Sequence, residues 1–190
     1  MNVPSAPFRW YFAVSENLFT LRNVLINAIW FKLVWICCVQ FGNQAALVAL
    51  PLTALIHTTL IKLERRDWMF VLSAVAAGFL FDSVLASTGL VVFAYNGMFP
   101  PIWLVTIWFA FGTLVVVTLP YLARNKYLFT GLSAVMGMLS YWAGTSFSDA
   151  ALGYSLATSL PMLALAWGVM GFLLHLLYVN TIDPVRNQYA

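Results

Sequence analysis

Residues 68–87 read "WMFVLSAVAAGFLFDSVLAS", and this stretch decides the fold. It contains no proline and one charged side chain, Asp82. Its twenty residues, at 1.5 Å each, make a helix about 30 Å long, the thickness of a bilayer's hydrocarbon core. The apolar residues run continuously and do not alternate, which excludes the strand of a membrane barrel. A carboxylate near the centre of such a helix costs about 2.5–3.5 kcal/mol on insertion scales, so Asp82 is expected to face protein or water. The helix offers it a suitable face. Ala74, Gly78, Asp82 and Ala86 recur at every fourth position, and small side chains let a neighbouring helix approach closely.

Outward from this stretch the pattern repeats. The chain is 63% hydrophobic and 8% charged, where a soluble domain carries about a quarter charged residues. Its mean hydropathy is +0.89. These values predict an all-α integral membrane protein, a six-transmembrane-helix bundle with spans at about 23–40, 44–61, 68–87, 101–121, 127–147 and 151–179. The 190 residues then form a single membrane domain, with no length left for a soluble one. Residues 1–22, rich in aromatic anchors, read as a cytoplasmic interfacial segment. They show no cleavable signal pattern. The segment "STGLVVFAYNGMFPP" (residues 87–101) is long for an outer loop and apolar, which predicts an interfacial or partly re-entrant hairpin.

The basic residues test this partition. With loops assigned alternately to two sides, Arg9, Arg22, Lys62, Arg65, Arg66, Arg124, Lys126 and Arg186 all fall on the side of the N-terminus. The remaining cation, Lys32, lies inside the first span, and the opposite side has none. The positive-inside rule then places both termini in the cytoplasm. The net charge of +3 is therefore a topology signal, and nucleic acid is not expected as a partner. Cys37 and Cys38 are adjacent, lack metal-site spacing and read as small apolar packing residues.

Few side chains are left to carry chemistry. Asp82 lies about 21 Å along its helix, past the midplane. Lys32 lies on a helix running the same way, so an Asp82–Lys32 ion pair is one reading. An Asp82 bonded to Ser83 or Ser87, or acting on a ligand or proton, are others, as is a Lys32 that snorkels to the interface. Trp103 and Trp108 follow the helix-starting Pro100 and Pro101, and are read either as an aromatic belt or as the wall of a pocket. Tyr141 and Trp142 invite the same two readings, with Asn27 as a further pocket candidate. Asn23 and Asn27 share a helical face suited to interhelical hydrogen bonds. His57 and His175 fall at equal depth on two spans, the arrangement a bis-histidine haem would use. Beyond that reading no cofactor or metal is expected. No paired intramembrane aspartates, G-x-S-x-G, H-E-x-x-H or Gly-rich phosphate loop is present, so the sequence leans away from an enzyme.

The order of "NAIWFKLVWICCVQFG" (residues 27–42), "GFLFDSVLASTGL" (78–90), "PPIWLVTIWFAFGTL" (100–114) and "GMLSYWAG" (137–144) resembles the DUF2878 family of bacterial inner-membrane proteins. The resemblance implies no defined activity. It implies genomic association with membrane-lipid methyltransferases of the cyclopropane-synthase kind. Two departures stand out: Lys32 occupies a position where the family favours Gln, and Val115 and Val116 stand where it favours a polar Asn-His pair. A weaker similarity extends to MreD rod-shape proteins and to substrate-binding subunits of energy-coupling-factor transporters.

Three functions are consistent with these residues. The first is a non-catalytic accessory or scaffold protein, linked to membrane-lipid modification or envelope maintenance, meeting a membrane or cytoplasmic protein partner through "KLERRDW" (residues 62–68). The second is a transport subunit that binds a lipid or small molecule in an outward-facing pocket around Asp82, Lys32 and Trp103. The third is an intramembrane enzyme or haem protein.

Overall fold

At Gly42 the backbone takes φ 55° and ψ −137°, a conformation open to glycine and strained for any residue with a Cβ. This one residue folds a long apolar helix in two. Helix α1 (Leu21–Leu55) continues as a π-helical turn (Ile56–Leu60), and a straight helix of that length would reach about 60 Å. Instead, Nε1 of Trp30 donates to Oγ1 of Thr53 at 2.9 Å, and Nδ2 of Asn27 lies 2.9 Å from Nε2 of His57. Residues 23 and 30 positions apart can meet in this way only if residues 21–41 and 43–60 run antiparallel. The expected spans 23–40 and 44–61 are the two arms of this hairpin.

The computed structural model describes residues 20–94 and 99–183. The expected interfacial segment over residues 1–22 therefore lies almost wholly outside the described residues. After the hairpin come α2 (Arg65–Ser87), β1 (Val91–Val92), α3 (Ile102–Val117), the short α4 (Pro120–Arg124), α5 (Lys126–Phe147), β2 (Ala151–Leu152) and α6 (Leu156–Thr181). Glu64 and Asp67 form a capping box that fixes the start of α2. Leu21–Leu60, α2 and α6 are long and apolar enough to cross a membrane, and α3 is a shorter apolar helix.

Two expectations change. The fourth span stops at Val117, and α4 restarts at Pro120 after Leu119 leaves helical geometry. The sixth helix starts later than the expected span. Val91 and Val92 pair antiparallel with Leu152 and Ala151, tying the connections after α2 and after α5 together, and α6 starts only at Leu156.

Helix α3 is central and is buried from Val115 to Val117 on every side. It packs against the hairpin and α2, while α2 also meets α6, and α6 packs along α5. Nε1 of Trp35 donates to Ser140 at 2.9 Å and closes the ring between α1 and α5. The antiparallel order brings the ends bearing Arg22, Lys62, Arg65, Arg66, Arg124 and Lys126 to one end of the bundle. Contacts at that end include Thr118 with Asn27, the carbonyl of Ala123 with His175, and Arg124 with Asp183 at 3.0 Å. Gly42, the β1–β2 ribbon and the start of α3 occupy the other end, where Asn43 accepts a hydrogen bond from the Trp103 amide at 3.1 Å.

Candidate functional site

Asp82 is fully buried, and both its oxygens are taken. Nε1 of Trp108 on α3 donates to Oδ2 at 2.7 Å, and the Tyr141 hydroxyl on α5 donates to Oδ1. A pair of donors, one on each oxygen, suits an acceptor-only carboxylate. Ser83 and Ser87 turn back instead to carbonyls of their own helix, at Phe79 and Val84. Lys32 lies exposed on the first arm. Among the described residues the ion pair present is Arg124–Asp183, so the Asp82–Lys32 pair is not formed.

Aromatic rings from four helices enclose the carboxylate. Trp108 stacks on Trp167 of α6 with centroids 5.3 Å apart and planes 10° from parallel. Phe81 meets Trp167 edge-on at 5.3 Å and Tyr141 at 6.4 Å, and Phe111 abuts both indoles. The close helix approach depends on two glycines. A Cβ at Gly78 would stand 2.0 Å from the Trp108 ring, and one at Gly137 would stand 2.1 Å from the Trp167 ring. The indole pair is thus held between Gly78 of α2 and Gly137 of α5. The small-residue face expected on α2 is present, and what it receives is the side chain of Trp108. Trp108, 3% exposed, is therefore not a belt residue, whereas Trp142 is 44% exposed as a belt residue would be.

A cavity of about 50 Å³ opens beside this cage at the end away from the basic residues. Trp35, Phe93, Trp103, Ser140 and Tyr141 are among its walls. Tyr141 joins cavity and carboxylate, because it lines the first and donates to the second. Of the sequence candidates, Asp82, Trp103, Trp108 and Tyr141 therefore belong to one site.

Asn27 belongs to another. It donates to Nε2 of His57 and to Oγ1 of Thr113 (3.1 Å), and its Oδ1 accepts from Thr118 at 2.6 Å. Nδ1 of His57 lies 2.7 Å from the carbonyl of Thr53, which can only accept. Nδ1 therefore carries the proton, and the Nε2 lone pair is occupied by Asn27. With both ring nitrogens engaged, His57 has none free for a haem iron. His175 bonds a different partner, the carbonyl of Ala123 at 2.8 Å. The two imidazoles thus bond different partners, and among the described residues no cluster of three metal-ligating side chains occurs.

Phe81, Phe111 and Trp167 were not singled out by the sequence. Their only signal was the small-residue spacing on α2 and α5 that makes room for indoles.

A family model described as "Protein of unknown function (DUF2878)" matches residues 24–173. No curated protein and no solved structure matches the chain.

Proposed function

Since the chain belongs to the DUF2878 family, whose function is unknown, membership assigns no activity, and we propose from the geometry that it is a non-catalytic membrane protein that binds a small ligand. In this reading the hairpin arms, α2, α3 with α4, α5 and α6 are six spans of a bacterial inner membrane. The basic end of the bundle faces the cytoplasm together with both termini, and the cavity opens toward the opposite side.

One observation carries the binding reading. Tyr141 stands between a cavity at the outer end and a buried carboxylate that no cation among the described residues neutralises. An architectural aspartate could be held by helix contacts alone and would need no connection to an accessible space. Intramembrane ionisable groups that reach a cavity are the ones that mark ligand and ion sites. The cavity's lining, mostly apolar with a few polar side chains, has the composition usual for a ligand site.

An accessory role beside a partner protein is the second reading, supported by a different feature. The capping box at Glu64 and Asp67 fixes a turn on which Lys62, Arg65 and Arg66 are exposed. The two roles are compatible, because the turn and the cavity are at opposite ends.

The test is a thermal-shift screen of the purified protein against polar lipids and small metabolites. A compound that raises the melting temperature of the native protein should lose its effect in Asp82→Asn. If every stabilising compound acts equally on both proteins, Asp82 is architectural and the site reading fails.

A further inference from the structure

The cavity's chemistry narrows the class of ligand. Its walls carry four aromatic side chains, Trp35, Phe93, Trp103 and Tyr141, and among the described residues no Lys, Arg or His lines it. Nothing in the lining would neutralise an anion. Tyr141, one of the lining residues, donates its hydroxyl proton to the Asp82 carboxylate, which brings a negative group next to the wall. That hydroxyl donates its single proton to Asp82 and keeps its own lone pairs for a further donor. Ring faces attract cations through their quadrupoles, which adds to the same preference. A volume of about 50 Å³ holds roughly three to five water-sized groups, so the ligand portion inside is small.

We infer that the cavity receives the primary ammonium group of a small amine, which donates to the Tyr141 oxygen while Tyr141 donates to Asp82. The phenol then links the ligand's positive charge to the buried carboxylate without either entering the other's space. The ammonium can belong to a free amine or to a lipid headgroup at the outer face, since the donor chemistry is the same. This inference rests on the ligand-binding reading above and specifies its ligand.

The experiment uses three probes of about the same size: ethanolamine, ethylene glycol and glycolate, at matched ionic strength. Melting temperature and tryptophan fluorescence are followed in the full chain, reconstituted in nanodiscs of phosphatidylcholine alone. Ethanolamine should raise the melting temperature and perturb the fluorescence, with the other two inactive. Tyr141→Phe, which keeps the carboxylate, should weaken ethanolamine at least tenfold, and Asp82→Asn should abolish its effect. Should Asp82→Asn fail to fold, Tyr141→Phe still decides, because unchanged ethanolamine binding in that variant overturns the linkage. Equal action of ethylene glycol, or preference for glycolate, overturns the ammonium assignment and leaves a binding cavity standing. Silence from all three probes, together with the failure of the broader screen, removes the binding reading itself. Nanodiscs of phosphatidylethanolamine separate the two sources. A melting temperature already raised there and unmoved by free ethanolamine assigns the site to the headgroup, whereas a further rise on adding ethanolamine assigns it to the free amine.

Discussion

Asp82 shows how a carboxylate is kept inside an apolar helix bundle without a cation among the described residues. Its insertion cost of about 2.5–3.5 kcal/mol is matched by two hydrogen bonds to a charged acceptor, worth about 1.5–3 kcal/mol each. Trp108 and Tyr141 are therefore sufficient, and Lys32 is not needed. A double-mutant cycle of Lys32→Ala and Asp82→Asn should give a coupling within about 0.5 kcal/mol of zero. A coupling above 1 kcal/mol, read from denaturant titrations, would restore the ion pair. The two glycines give a second expectation. Gly78→Ala or Gly137→Ala drives a methyl group into an indole ring and should destabilise by about 1–3 kcal/mol, seen as an earlier melting transition in detergent. Gly131, with nothing near its absent Cβ, should accept alanine without loss and serves as the control. Asp82 itself was legible in the sequence, because one charge interrupts an apolar run. Its partners were not, since an indole near a span's end looks alike whether it faces lipid headgroups or a carboxylate on another helix.

Among the elements, the first hairpin depends most on a single residue. Gly42→Ala places a Cβ on a backbone with φ 55° and ψ −137°, a strain of about 1–3 kcal/mol. The consequence should concentrate in the hairpin. Cysteines placed at Trp30 and Thr53, which touch in the native fold, should crosslink less readily in the Gly42→Ala protein than in the parent. The hairpin's two arms were visible in the sequence because a polar break at residues 40–44 separates two apolar runs. The β1–β2 ribbon was not visible, because strands of two residues have no periodicity to read. The π-helical turn at His57 was hidden for a related reason: an extra residue per turn leaves composition unchanged and shows only in the Asn27–His57 bond it aims. Helix α5 was legible by length but less so by composition, since its serines, threonines and glycines dilute the apolar signal; of these, Ser133 and Gly137 pack against α6.

The bundle as a whole is organised by polarity along its axis, with basic residues at one end and the cavity at the other. In the proposed orientation, with both termini cytoplasmic, a C-terminal fluorescent-protein fusion should fluoresce and an alkaline phosphatase fusion at the same site should be inactive. In a cysteine-free background, a cysteine at Asp149 should react with an impermeant maleimide in intact spheroplasts, and one at Lys126 only after lysis. The reverse pattern would invert the bundle and place the cavity in the cytoplasm. This organisation was the most legible feature of all, because the distribution of Lys and Arg is a property of the sequence alone. The composition of the cage was the least legible, as it depends on four helices meeting in one register. That dependence has a consequence for biogenesis. Asp82 is synthesised 26 residues before Trp108 and 59 before Tyr141, with Trp167 later still. For that interval α2 carries a carboxylate whose donors have not yet left the ribosome. In the proposed six-span arrangement, insertion of α3 and α5, rather than of α2 itself, is then the step that commits Asp82 to the membrane interior, and a chain truncated before Tyr141 should be a substrate for membrane proteolysis.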